Sequence, residues 1–530
     1  MASVIYNAKI YTLTPDKPQA TALAWQDDKI LALGGDELLN EFNDIHRINL
    51  EGKTILPGLT DAHIHLENYS LGLTKIDCET ATREECLRRV AERAQITPPG
   101  EWLLGHGWNQ NNWPEGFGLA VDLDAVAPFH PVYLTAKSLH AAWANNAALR
   151  LAGITAQTED PIDGRLGRDA RGQPNGLLFE TAMQLVFRAV PEPSVEATAQ
   201  AIRNAQTNLL QVGLTGLHDF DRSRCFSALQ VLHLNQELKL RVLKSIPVEN
   251  LAAAGELGLR SGFGDDWLRI GSVKIFADGA LGPRTAAMLQ PYEGESDNRG
   301  MLMVDAEELY EIGRTAVQAG FSLAVHAIGD RANHEVLNGM AHLREYEAEG
   351  DITVIGRRPR HRIEHVQLIH GEDAERFARL GIIASMQPIH ATSDMLMADR
   401  FWGGRAALAY AWREQLKRGA TLAFGSDAPV ESPNPFLGLH AALTRRRTDG
   451  SPGVLGWYSE QRLNLLEALG GFTTGPAYAA GLEDRLGRLA PGFLADLIVL
   501  ESDPFTCPPD EIHTLKPCAV MVGGEWAWER

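Results

Sequence analysis

At 530 residues the chain exceeds the size at which a single hydrophobic core stops growing, so one large domain with smaller additions is expected. A hydrophobic content of 45%, with 50 glycines and 27 prolines, fits a loop-rich α/β protein and excludes a disordered or fibrous one. Its 49 Lys+Arg against 68 Asp+Glu leave a formal charge of −19, which argues against nucleic acid and anionic membranes as partners.

The amino-terminal stretch from Met1 to Lys9 lacks the basic start, apolar run and small-residue cleavage site of a secretory signal. No apolar run elsewhere is long enough to span a bilayer. Five scattered cysteines (Cys78, Cys86, Cys225, Cys507 and Cys518) form no CxxC pair, which speaks against a disulfide framework and a thiolate zinc site. A reduced, cytoplasmic protein is expected.

Short alternating strands open the chain at residues 4–6, 9–12, 22–25 and 29–33, the last two joined by an Asp27-Asp28 turn. Residues 495–500 and 520–526 read the same way. Together they predict one composite β-sandwich domain from residues 1–56 and 487–530. Between them apolar strand-like runs alternate with helical patterns, the mark of βα units around a parallel sheet. Those runs end at His65, His218, Pro247, Lys274, His326, His365, Gln387 and Asp427. Eight such strands predict a (β/α)8 TIM barrel over residues 57–76 and 205–486. The interval after the first strand is too long for a crossover helix, so residues 77–204 are expected to form an inserted subdomain, with a hairpin near 163–169.

His63 and His65 lie two apart on the first strand, so both imidazoles face the same way and can bind one cation. An HxH pair alone is a weak signal. It gains force because His326, His365 and Asp427 close later apolar strands, and barrel strand ends converge on the catalytic face. Lys274 is different: facing cations it would be repelled as an ammonium. Burial lowers a lysine pKa, and the free amine can react with carbon dioxide to give a carbamate, an anionic oxygen ligand. A salt bridge to Asp278 or another barrel carboxylate is the other reading of Lys274, and chemistry alone favours neither.

The segments Pro57–His65, Val273–Gly282, His326–Asp330, Arg362–His365 and Gly425–Val430 resemble the amidohydrolase superfamily, and more narrowly its branch of N-substituted formamide deformylases and related bacterial hydrolases. The resemblance extends to Gly487–Leu497, the return into the small sheet domain. It implies that His63 and His65 hold a first divalent metal, that His326 and His365 hold a second, and that Asp427 binds the first. It further implies that Lys274, as N6-carboxylysine, bridges two zinc ions, and this favours the carbamate over the salt bridge. The implied activity is hydrolysis of a C–N (amide-type) bond of a small N-substituted amide or formamide by metal-activated hydroxide, with Asp427 moving the proton. A small-molecule substrate is the implied partner, and the superfamily often forms homo-oligomers.

For substrate binding, Asp278 and Arg284 after the Lys274 strand, and Asp330 and Arg331 after His326, sit on loops at the catalytic face, although loop salt bridges explain them equally well. His218 and His390 are candidates to polarise a substrate carbonyl. In the insert, Trp108 and the His140 of Ser138-Leu139-His140-Ala141-Ala142-Trp143 suit a lid over an apolar group, or equally a small core. The resemblance tilts Trp108 and His140 towards a pocket. Glu180 reads as an acidic residue in the first turn of a following helix. Two alternatives stand beside amide hydrolysis: a mononuclear deaminase, which typically lacks the bridging lysine, and a non-catalytic barrel scaffold.

Overall fold

The computed structural model describes residues 2–42, 46–111, 113–138, 140–354 and 356–530. Met1 of the amino-terminal stretch and Leu139 of the 138–143 segment lie outside them. The chain divides into two compact units, Met1–Tyr69 with Ile202–Arg530, and Ser70–Ala201.

The first unit contains the barrel. Its strands are β1 (Leu59–Ile64), β2 (Leu214–Asp219), β3 (Arg241–Pro247), β4 (Leu268–Phe276), β5 (Leu323–Ala327), β6 (Arg362–His365), β7 (Ile383–Met386) and β8 (Leu422–Phe424). Each pairs in parallel with the next, in chain order. Strands β2, β6, β7 and β8 are buried at every position, as a parallel sheet covered on both faces requires.

The seam between β8 and β1 is closed just past the strand ends. Asp427 N–H donates to His63 O at 2.7 Å, and His65 N–H donates to Ala428 O at 2.9 Å. The Asp61 carboxylate accepts from the backbone N–H of Ser426 at 3.0 Å and from its hydroxyl. Gly425 permits this approach, because a Cβ there would lie 2.4 Å from His63 N.

Two further sheets in the same unit come from both ends of the chain, in keeping with the expected composite domain. One has the order Lys29–Gly34, Ala22–Gln26, Ser3–Tyr6, His46–Asn49. The other runs Glu525–Glu529, Pro517–Val522, Leu497–Leu500, Thr54–Pro57, Lys9–Tyr11, Gln19–Ala20. Ile5, Leu23, Ile55, Leu497 and Met521 share one buried cluster, which makes the two sheets a single layered structure. The run expected as one strand over 520–526 is two strands, because Gly523 (φ +60°) and Gly524 (φ +79°) reverse the chain there. Arg241 of β3 grips Asp496 with two hydrogen bonds, at 2.6 and 2.8 Å, fastening the barrel to these sheets.

The second unit has its own six-stranded sheet, ordered Gly164–Arg168, Pro174–Glu180, Ala141–Ala144, Val132–Ala136, Leu103–Trp108, Ile76–Asp77. The hairpin expected near 163–169 is the first pair of that order. Trp108, Trp113 and Trp143 fill the core of this unit. Glu180 ends a strand instead of opening a helix: the next helix starts at Met183, and the Glu180 carboxylate pairs with His140 Nδ1 at 2.9 Å.

Candidate metal centre

The carboxyl ends of the barrel strands bring four histidines together. Ring centroids are 5.6 Å apart for His63 and His65, 4.9 Å for His63 and His365, and 4.5 Å for His326 and His365. His63 and His65 arrive on β1 two residues apart. His326 is on β5 and His365 ends β6.

Each imidazole is held by one nitrogen, leaving the other for a ligand. His63 Nδ1 lies 2.6 Å from Glu364 Oε2, so Nδ1 carries the proton and Nε2 the lone pair. His65 Nδ1 donates to Asp221 Oδ1 at 3.1 Å, and His365 Nδ1 donates to Gln387 Oε1 at 2.9 Å. His326 is turned the other way: Nε2 donates to the Gly279 carbonyl at 2.9 Å, which frees Nδ1. Burial first, and then the neighbouring positive charge of Lys274, lower His63 to about 4 and His326 to about 3. Burial, followed by the other histidines, also holds His365 well below its ordinary range. These rings are neutral, the form that binds a cation.

Asp427 lies three residues beyond β8, in the left-handed region (φ +59°), a conformation that costs a non-glycine residue about 1–3 kcal/mol. That turn carries its carboxylate back over the barrel mouth, where Oδ1 is 3.5 Å from His63 Nε2 and 3.3 Å from His65 Nε2. Burial works against its charge, yet His65, His63, His365 and His390 keep it well below the usual carboxylate range. Ligand atoms on a tetrahedral cation with bonds of ~2.0–2.1 Å lie about 3.3 Å apart, so His63, His65 and Asp427 are spaced as ligands to one ion. His63 Nε2 is buried and has no hydrogen-bond partner among the described residues, so its lone pair is open to a cation. The donor set fits a divalent cation.

Lys274 projects from β4 and is 4% exposed. Its Nζ lies 4.8 Å from the Phe220 ring and 4.8 Å from the Phe276 ring. Phe220 stacks on His63 at 4.2 Å, and Phe276 lies 5.2 Å from His326, so Lys274 stands between the two histidine pairs. Burial lowers its ammonium to about 8, and no hydrogen bond or ion pair engages Nζ among the described residues.

Below these ligands a polar column fills the barrel. Arg362 donates to both oxygens of Glu364, to the Ala62 carbonyl at 2.6 Å and to His218 Nδ1 at 2.9 Å. Burial opposes a charge on Glu364, but Arg362, and then His63, hold its carboxyl well below the usual range. His218 is thus an acceptor inside the barrel and not a group aimed at substrate. His390, by contrast, reaches the site. Its Nδ1 accepts from Gln367 Nε2 at 3.3 Å, and its Nε2 is unpartnered among the described residues, 3.8 Å from Asp427 Oδ2.

The other residues considered for substrate contact are engaged elsewhere. Asp278 accepts from the backbone amides of Ala287, Ile328 and Gly329 at 2.8–2.9 Å, tying two loops together. Arg284 pairs with Glu295 and stacks on Phe401. Asp330 accepts from Leu289 N–H at 2.8 Å. In the second unit Trp108 is a core ring, its Nε1–H donating to Leu134 O at 2.9 Å, while His140 is exposed beside Glu180. Glu364, Asp221, Gln387, Gln367 and Phe220, which hydrogen-bond to or stack on these histidines, were not foreseen. One signal was available for Glu364: it sits two residues after Arg362 on one strand, so both face inward.

Comparison with known proteins bears on the family and the fold. The model of the amidohydrolase family matches residues 47–527. The Bacillus subtilis (strain 168) protein YtcJ is 32% identical over 543 residues, covering 100% of both chains. An N-substituted formamide deformylase of Arthrobacter pascens is 27% identical over 547 residues, 99% of this chain and 98% of its own. The crystal structure of an uncharacterized metal-dependent hydrolase from Pyrococcus horikoshii OT3 superposes with a TM-score of 0.79 at 26% identity, over 96% of this chain and 99% of that one. No helix among the described residues is long and apolar enough to cross a membrane. Barrel, ligand spacing and family match agree, and this chain belongs to the amidohydrolase family of metal-dependent hydrolases.

Proposed function

We propose that the chain hydrolyses the C–N bond of a small N-substituted amide or formamide, using two divalent cations, in the default case zinc. The observation that carries this reading is the grouping of three neutral imidazoles, those of His63, His326 and His365, with His65 and an ionised Asp427 around a lysine that has no ion pair among the described residues. In this reading His63, His65 and Asp427 would hold one cation, His326 and His365 would hold the other, and Lys274, as a carbamate, would offer anionic oxygen to both. The carbamate would form as the free amine of Lys274 adds to carbon dioxide: an N–C bond forms, one C=O π pair moves onto oxygen, and one N–H proton leaves to solvent. A lysine lowered to about 8 has enough free amine near neutral pH for that addition. Similarity to a formamide deformylase supports the choice of bond.

Divalent cations bound here polarise a carbonyl and lower the pKa of a water. Asp427 takes the proton of the attacking water and delivers it to the leaving nitrogen. His390 presents an Nε2–H, because Gln367 donates to its Nδ1, and that N–H meets the negative charge developing on the carbonyl oxygen. Glu364 and Gln387 keep the His63 and His365 rings in the ligating tautomer. For substrate contact this reading retains His390 and sets aside Asp278, Arg284, Trp108 and His140, whose side chains are committed to the contacts described above.

The test is a metal-supplemented assay of the purified chain against a panel of N-formyl, N-acyl and cyclic amides, with metal counted by elemental analysis. Turnover of an amide with about two ions per chain is expected. About one ion per chain with ammonia release from an amino-substituted ring would favour the deaminase, and a metal-replete chain inert to every amide would sink the proposal.

A further inference from the structure

The opposite mouth of the barrel, at the amino ends of β4, β5 and β6, holds a second site of a different kind. A surface cavity opens there. Its walls carry Arg269 at the start of β4, then Arg357, Arg358 and Arg360 in the segment before β6, and Arg485 in the loop after residue 480. In a chain of formal charge −19, five guanidinium groups around one cavity are a pronounced local reversal of sign.

Three carboxylates pair with them directly, and Asp265 acts on Arg269 from farther off. Arg357 pairs with Glu483 and Asp484 at 2.9 Å each, Arg360 pairs with Glu483, and Arg485 pairs with Asp266. Arg269 and Arg358 have no carboxylate within ion-pair distance among the described residues, and the buried Nε of Arg269 has no hydrogen-bond partner among them. Burial, and then repulsion from Arg485 and Arg357, hold the Arg269 guanidinium below its ordinary range. A cation kept close to other cations, with a buried donor unused, lacks an anion.

We propose that this cavity binds a small phosphate-bearing metabolite, with its phosphate between Arg269 and Arg358. With Asp265, which also acts on Arg269, five guanidinium groups face four carboxylates, which leaves the cavity net positive, the sign that a phosphate monoester of ~−1.5 to −2 at neutral pH requires. Guanidinium forks also match phosphate oxygens in pairs, which a lysine cannot do. The cavity lies at the strand ends opposite the metal centre, so its occupant is not the substrate of the proposed hydrolysis.

Titration calorimetry with inorganic pyrophosphate, at constant ionic strength and on the protein as purified, tests this. Saturable binding in the sub-millimolar range is expected, weakened about tenfold or more in Arg269→Gln and Arg358→Gln and unchanged in Lys417→Gln. Arg358 is exposed, so its variant keeps the test sound even if Arg269→Gln folds poorly. No binding by the wild-type protein overturns the proposal. So does equal binding by the wild type and both variants, since the anion then sits elsewhere, at the metal centre included. Failure of the amide assay leaves this result untouched.

Discussion

His63 Nδ1 lies 2.6 Å from Glu364 Oε2, across the barrel interior and 301 residues along the chain. That single contact sets the tautomer of a proposed metal ligand, and Arg362 keeps the carboxylate ionised in a place where burial opposes it. Glu364→Gln removes the charge while keeping an acceptor. Metal affinity should fall about 10–100-fold, read by metal retention on dialysis against a graded chelator. Arg362 is left as a buried cation without its counter-charge, so denaturant unfolding should show a loss of about 3 kcal/mol or more. Wild-type metal retention would show that the contact does not tune the ligand.

Lys274→Ala should lose most activity and about half of the bound metal, as measured by elemental analysis alongside turnover. A variant with full metal content and activity would remove the carbamate from the proposal. Because Lys274 packs between Phe220 and Phe276 and forms no ion pair among the described residues, the folded state should tolerate the change better than it tolerates Glu364→Gln.

His390→Asn should lower kcat about 100-fold with metal content unchanged, since its Nε2–H meets charge that develops during the reaction. Gln367→Leu leaves the ring in place but frees its tautomer, so a smaller loss, about tenfold, is expected. Steady-state kinetics with metal counts on both variants check this. A fall confined to KM would mean that His390 binds substrate without assisting the chemistry.

Gly425→Ala places a methyl group 2.4 Å from His63 N and 2.6 Å from Asp61 Oδ1 at the seam of the barrel. Backbone cannot yield there without moving the first metal ligand. Destabilisation of about 2 kcal/mol or more is expected by chemical denaturation, accompanied by weaker metal retention.

His361 allows a test of pH-dependent stability away from the metal ligands. Its Nδ1 accepts from Leu323 N–H at 3.0 Å, and its Nε2–H donates to Glu347 Oε1 at 2.6 Å. Burial, and then Arg344, lower it to about 4, whereas a histidine in the unfolded chain titrates near ~6.5. As pH falls from about 6.5 towards 4, the unfolded chain takes up a proton that the folded chain refuses, and stability is lost. The lowered carboxyl of Glu347 acts in the same direction. The stability advantage of wild type over His361→Gln should therefore be largest above pH 6.5 and shrink by up to about 3 kcal/mol towards pH 4. An advantage that stays constant over this range would contradict the assignment.

The barrel strands were legible because buried parallel strands are short apolar runs bounded by turns, and because βα alternation repeats along the chain. The run through 520–526 was read as continuous because its apolar residues mask a Gly523-Gly524 reversal that only a positive φ at both glycines reveals. Ligand-bearing strand ends were legible for a local reason: His63 and His65 obey the two-residue period, and His326 and His365 interrupt apolar runs. Asp427 lies beyond its strand, and its direction depends on the left-handed turn that the seam to His63 imposes.

The sequence by itself pointed to the barrel and to sheets built from both chain ends, through periodicity, and to five polar residues closing apolar strands; the family resemblance added Lys274 to them. Only the tertiary structure decided what orients them. Glu364, Asp221, Gln387 and Gln367 act on partners 301, 156, 22 and 23 residues away, and no local pattern marks such a pair. The same holds for Asp278 and Trp108, whose polar or aromatic character suits a pocket in one dimension. In three dimensions, backbone amides occupy the carboxylate and a small hydrophobic core encloses the ring.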